Sequence, residues 1–414
     1  MSMEVSMLRP LAVLMPLLAL TALISCAPET SETEKAEQLA PAEYFPPPER
    51  EGGWRVNTEP GFVRSLGLDP EALEEFGQYN LSVPSSNWQP YAAHKGIIVI
   101  KDGWIVGEWY NVPEAKDFRT YLSSNGKSFA IACFGVMAED SRLDRIPFEI
   151  DRESKVYDPR WLPGGFPLSD PGKEEITFEM IFRHTSGLAP ERDAAGGDHE
   201  QGRNEWTWYP DWIVGHDDAW PVTGKLVFDP GHPEQWAGQD EWGMVDAAYS
   251  SVAFGHVGLV LSSVYGVPAW RFLWERLCRP IGFSGLDFHG PPEPEADIRW
   301  FSAGALRMTP RDYARFAYLL LGDGRWGSEQ LVPAEFLRSF RETAKYPNMK
   351  SNADGLFGEQ FPPDMFRIAG SGLNWAYIIP SQNLIALRTG RGHNAMWDEV
   401  RTGFLERLGR VMGE

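Results

Sequence analysis

The chain of 414 residues is 43% hydrophobic and 23% charged. That composition excludes wholesale disorder and leaves room for a large core or two closely packed subdomains. A formal net charge of −20 speaks against nucleic acid or anionic lipid as a partner of the folded domain.

Residues 1–25 read as a lipoprotein signal peptide: Arg9, then an apolar core from Leu11 to Ile24 that is too short for a comfortable membrane span. Leu23-Ile24-Ser25-Cys26 resembles a bacterial lipobox, in which Cys26 becomes the lipidated first residue of the mature protein. An ordinary cleaved leader with an incidental Cys26 is the bland alternative. Residues 26–53, with the run "YFPPPEREGG", are rich in Pro, Glu, Ser and Thr and predict a solvated tether from a membrane anchor to a domain spanning 54–414. The expected address is the bacterial cell envelope, periplasm-facing. Ala27 after the cysteine, rather than Asp, leans towards the outer membrane of a Gram-negative host.

"GIIVIKDGWIVGEWYN", Gly96 to Asn111, is a hairpin signal around Lys101-Asp102-Gly103. "NWAYIIPSQNLIALRTG", from Asn374, repeats it around Pro380-Ser381-Gln382-Asn383. Between them lie helical runs: "ITFEMIFRHTSGL", "YSSVAFGHVGLVLSSVYG", "PAWRFLWERLCRPIGF" and "TPRDYARFAYLLLGDG". Strands at both ends and helices between predict one α+β unit: an antiparallel sheet built from both chain ends, flanked by helices, with a mostly helical insertion over about 138–300. Glu191 to Trp242 carries six tryptophans with little periodicity, either a functional loop or a satellite core. Cys133 and Cys278 sit in apolar helical contexts and are expected as buried free thiols. The eight histidines show no metal-ligand spacing, so neither a metal nor a cofactor is expected.

"YLSSNGKSFAIACFGVM", Tyr121 to Met137, opens an apolar helix with Ser124 and places Lys127 one turn later. A lysine beside a buried segment is costly unless something uses it. Residues three apart share a helix face, so the Ser124 hydroxyl and the Lys127 ammonium can meet. In the first turn, unpaired N–H groups and the positive end of the helix dipole would surround the serine. Burial would lower the lysine from its ordinary value of about 10.4 and let it accept a proton. That is a route to an activated serine without histidine. By itself, Ser-x-x-Lys is as well explained by a capped helix with a snorkelling lysine.

Other stretches appear in an order that gives the tetrapeptide a context: His184-Thr185-Ser186-Gly187-Leu188, "AYSSVAFGHVGLVLSSVYGVP", and "SAGALRMTPRDYARFAYLLLGDG" from Ser302 to Gly324. From about Trp54 onward the chain resembles the serine β-lactamase and penicillin-binding-protein superfamily. Its nearest likeness is to the β-lactamase-related branch of class C enzymes, esterases, D-aminopeptidases and aminohexanoate-oligomer hydrolases. The resemblance implies a β-lactamase/transpeptidase-like fold, with Ser124 as acylated nucleophile, Lys127 as its general-base partner and Tyr249 as the tyrosine of the Tyr-x-Asn motif. Ser251 stands where many members carry Asn; a hydroxyl can still hydrogen-bond, but the amide's paired donor and acceptor are lost.

The third motif, usually Lys-Thr-Gly, has two candidates. Arg388-Thr389-Gly390 is a basic version at the end of the last strand, whereas Ile368-Ala369-Gly370 fits the strand before it and is favoured. In that register Gly370 lets substrate approach, the N–H groups of Ser371 and Ser124 form an oxyanion hole, and Gly372 lines the site. Penicillin-recognising relatives use a basic group on this strand to hold the substrate carboxylate. Ile368 there weighs against efficient β-lactam hydrolysis. His184 is expected to brace a helix turn near the site rather than to react.

The expected activity is therefore an exported serine hydrolase acting through a Ser124 acyl-enzyme on a small ester or amide. True β-lactamase or D,D-peptidase activity, or non-catalytic binding of an envelope ligand, are the alternatives. No Gly-x-Ser-x-Gly elbow supports an α/β-hydrolase. Oligomeric state is not legible from the sequence.

Overall fold

The computed structural model describes residues 44–87, 89–188, 226–235, 248–288, 302, 304–353 and 355–413. The leader, Cys26, the first part of the expected tether and most of the tryptophan-rich stretch lie outside the described residues.

In chain order the strands are β1 (Gly96–Lys101), β2 (Trp104–Tyr110), β3 (Thr120–Tyr121), β4 (Asp287–Phe288), β5 (Leu306–Met308) and β6 (Arg325–Trp326). They continue as β7 (Glu329–Gln330), β8 (Lys350–Ser351), β9 (Phe366–Gly370), β10 (Asn374–Ile379) and β11 (Leu384–Thr389). The helices begin with α1 (Pro60–Ser65), α2 (Pro70–Ser82), α3 (Asn125–Arg142), α4 (Phe178–Arg183) and α5 (Ser251–Tyr265). After them come α6 (Ala269–Leu273), α7 (Pro310–Leu321), α8 (Ala334–Ser339) and α9 (Trp397–Val411).

Both chain ends meet in one antiparallel sheet of order β2-β1-β11-β10-β9-β8. The β1–β2 turn works because Asp102 and Gly103 both adopt positive φ, 51° and 75°. That is a primed turn, whose twist matches the strands it joins.

Residue alternation then divides the core. Ile97, Val99, Trp375, Tyr377, Ile379, Leu384 and Ala386 face α2 and α9, where Phe76 and Phe404 meet edge-on at 4.7 Å. Ile98, Ile100, Ala376, Ile378, Ile385 and Leu387 face α3 and α7, where Phe129 stacks on Phe316 at 3.5 Å. Every residue of β10 and β11 is buried, so these strands are covered on both faces. Each buried Ile or Leu among them contributes about 1.5–3 kcal/mol. The helix facing the sheet through Phe129 is the one that starts at Ser124.

Two smaller findings concern the expectations above. Cys133 and Cys278 are buried free thiols. The last part of the expected tether is packed rather than solvated. Arg315 donates to the carbonyls of Pro46 and Pro47 at 2.8 and 2.6 Å, and Phe45 lies 5.5 Å from the Trp326 ring. Proline lacks an N–H but keeps a full carbonyl acceptor, so a proline run can accept from a buried guanidinium.

Candidate active site

Three helices show what an N-cap ordinarily does in this fold. Thr177, Ser250 and Thr309 precede α4, α5 and α7, and each accepts a hydrogen bond from a backbone N–H of its first turn. Ser124 holds the same position before α3 but makes no capping bond. Its φ of −58° and ψ of −4° are already helical, which turns the side chain away from the N–H groups it would cap. Instead the hydroxyl faces the ammonium of Lys127 at 3.4 Å.

Strong local bonds hold this turn. Ser123, immediately before it, has a positive φ of 51° and its hydroxyl accepts from Arg391 at 2.8 Å. Burial depresses the Arg391 pKa from its ordinary value. The Asn125 amide donates to Leu122 O at 2.9 Å and to Asn374 O at 3.2 Å, while Tyr313 donates to its oxygen at 2.7 Å. The turn is therefore tied to β10 and α7 as well as to itself.

Two glycines press against it. A Cβ on Gly370, the last residue of β9, would fall 2.0 Å from Leu122 O and 3.0 Å from Ser124 N. Gly304, at φ 146°, would place one 2.9 Å from Ser123 O and 3.2 Å from Ser124 N. Neither position accepts a side chain without moving backbone.

Lys127 is fully buried. Its ammonium lies 2.7 Å from the Ser251 hydroxyl and 4.8 Å from the centre of the Tyr249 ring. Taking an ammonium out of water is tolerable only with such partners. Tyr249 comes from the segment leading into α5 and stacks face to face on His184, with centroids 4.2 Å apart. His184 ends α4 in a left-handed conformation, φ 56°. It does brace a helix turn, and it also supports Tyr249. Burial is the main cause that pushes its pKa down to about 3, with the Lys127 charge acting the same way and a bond to Asn348 opposing both.

Ser124, Lys127, Tyr249, Ser251 and Gly370 are thus gathered at one place. Of the two third-motif candidates, Ile368-Ala369-Gly370 lies beside Ser124. Arg388 pairs in register with Ile97 and Trp375, on the face under α2 and α9, and donates to Leu373 O at 2.7 Å. Ser371 and Gly372 form the β9–β10 turn. Asn394 clamps it by donating to the Ser371 hydroxyl and accepting from the Gly372 N–H, both at 2.7 Å. Sequence reasoning did not select Asn348, Asn125, Arg391 or Gly304. Of these, Asn125 lay inside "YLSSNGKSFAIACFGVM" and Gly304 inside "SAGALRMTPRDYARFAYLLLGDG".

A family model described as Beta-lactamase matches residues 92–393. The chain belongs to that family. Its mixed helix and antiparallel-sheet architecture is the β-lactamase/transpeptidase-like fold expected from the sequence. Protein Rv1367c of Mycobacterium tuberculosis is 23% identical over 272 residues, which span 56% of this chain and 60% of that protein. Among solved structures, EstCE1, a hydrolase with promiscuous acyltransferase activity, aligns at a TM-score of 0.60 with 13% identity, covering 84% of this chain and 99% of the other. A penicillin-binding protein homolog from Caulobacter crescentus aligns at 0.56 with 14% identity, covering 82% and 96%. At those identities the structural likeness speaks for the fold. The family membership makes the chain a β-lactamase-fold hydrolase relative.

Proposed function

We propose that the protein is a serine hydrolase that cleaves a small ester or amide through a Ser124 acyl-enzyme. The observation that carries this reading is the uncapped Ser124 hydroxyl facing a fully buried Lys127 ammonium. A structural helix start has no need of either feature.

Once its ammonium has released a proton, the Lys127 amine takes the Ser124 proton as Oγ attacks the acyl carbon, and the Tyr249 phenol passes a proton on to the leaving group. The bond to the leaving alcohol or amine breaks, and that group takes the proton away. Water then attacks the Ser124 ester, releases the acid and returns a proton to Oγ. N–H groups of Ser124 and Ser371 would receive the oxyanion at the start of α3, where the helix dipole favours negative charge. Ser251 keeps Lys127 in place.

Ile368 is fully buried on β9, so that strand offers a substrate carboxylate no cation at this position. This favours esters and simple amides over penicillins. Export and lipid anchoring at Cys26 belong to the same reading, supported by the leader sequence.

Intact-protein mass after incubation with a fluorophosphonate, with penicillin and with short-chain nitrophenyl esters tests the proposal, beside Ser124→Ala. One adduct, absent from that variant, is expected, with esters turned over fastest. A folded protein that forms no adduct overturns it.

A further inference from the structure

His184 and Asn348 connect two distant parts of the chain behind Tyr249. The Ser250 N–H donates to His184 Nδ1 at 2.9 Å, so Nδ1 carries no proton and the neutral ring must carry it on Nε2. Nε2 lies 2.8 Å from Asn348 Oδ1 and therefore donates to it. With its oxygen engaged, the Asn348 amide presents Nδ2, which donates to the Tyr249 phenol oxygen at 3.0 Å. A backbone donor, whose direction cannot reverse, thus sets the direction of every bond in the series. The first two links are shielded from water, since His184 is completely buried and Asn348 is 3% exposed, while the last reaches the half-buried Tyr249. Ser128, on α3, holds the Asn348 carbonyl at 2.7 Å and so locks the amide's backbone to the helix that bears Ser124.

A phenol has two lone pairs and one hydrogen. Donation from Asn348 occupies one lone pair, so the Tyr249 O–H cannot point towards Asn348. It is left to the opposite side of the oxygen, away from the amide. The same donation stabilises negative charge on the oxygen when that hydrogen leaves.

We propose that Asn348, oriented through His184, is a positioning residue that keeps Tyr249 poised to exchange a proton with the Ser124 reaction. This rests on the serine-hydrolase reading above. Asn348 touches no reacting atom and acts only through the tyrosine oxygen.

The test is a double-mutant cycle on the rate at which a fluorophosphonate modifies Ser124, followed by intact mass. The Asn348→Ala variant should slow modification by about ten- to a hundred-fold, a fraction of what a positioned acid–base group supplies, through the limiting rate and not through reagent affinity. Tyr249→Phe should slow it at least as much. Adding Asn348→Ala to Tyr249→Phe should then cause no further loss, because the residue through which Asn348 acts is gone. A merely structural role would lower the double variant further.

Asn348→Asp, nearly isosteric, is the companion should the alanine variant fold poorly. Its carboxylate only accepts, so it turns the Tyr249 O–H towards itself, and modification should slow as in the alanine variant. A wild-type rate in either variant, or losses that add in the double variant, overturns the relay while leaving the hydrolase reading intact. Wild-type protein that is never modified overturns the hydrolase reading and the relay with it.

Discussion

Acid should destabilise this protein through His184 in particular, by an amount that follows from its burial. The folded ring is held down to about 3, whereas an unfolded histidine titrates near 6.5. Its folded value is depressed, so the unfolded chain binds the extra proton between those two values. The stability contributed by burying the neutral ring is complete above about pH 6.5 and is lost as pH falls towards about 3. At pH 5 the unfolded state gains roughly 1.5 units' worth of proton binding, about 2 kcal/mol. Carboxylates add their own slope over this range, Asp140 held low mainly by Arg276 against the effect of burial and Asp312 raised by burial. A His184→Gln variant keeps those groups and removes only the ring. Urea unfolding of both proteins at pH 7.5 and pH 5.0 isolates the term as a difference of differences. The wild type should lose about 2 kcal/mol more than the variant. Equal losses, to within about 0.5 kcal/mol, would refute the claim that this histidine is buried neutral behind Tyr249.

Two further outcomes bear on the nucleophile. Lys127→Met should lower fluorophosphonate modification of Ser124 by at least about a hundred-fold. Thermal stability should hold or rise, since a buried charge is replaced by an apolar chain of similar size; undiminished modification would remove Lys127 from the chemistry. Gly370→Ala should cost about 1–3 kcal/mol of stability and slow modification, because its Cβ would meet the Leu122 carbonyl at 2.0 Å and only backbone movement relieves that. A variant with wild-type melting and modification rate would show that β9 does not press on the Ser124 turn.

The elements that local chemistry controls were legible in the sequence. Asp102-Gly103 and Pro380 to Asn383 mark their turns because those residues tolerate the required φ values. The alternation in β1, β10 and β11 announces a sheet, and the apolar run after Lys127 announces α3. Ser124 and Lys127 were legible because their spacing is a property of one helix. Beyond that, only the fold could decide. Asn348 sits in a single turn of 3-10 helix, Pro347–Met349, with no periodicity to mark it; it meets Tyr249 because separate segments pack around the same end of α3. The packing of Phe45 to Gly53 depends on Arg315, more than 250 residues away. The strand pattern favoured Ile368-Ala369-Gly370 over Arg388-Thr389-Gly390 but could not place either against Ser124. Sheet order decides which of them faces α3, and order is set by long-range pairing. The sequence by itself therefore determined the Ser124–Lys127 pair and the strands that carry the sheet. The tertiary structure decided which glycine, asparagine and histidine surround that pair, because close approach between distant segments leaves no periodic trace in either one.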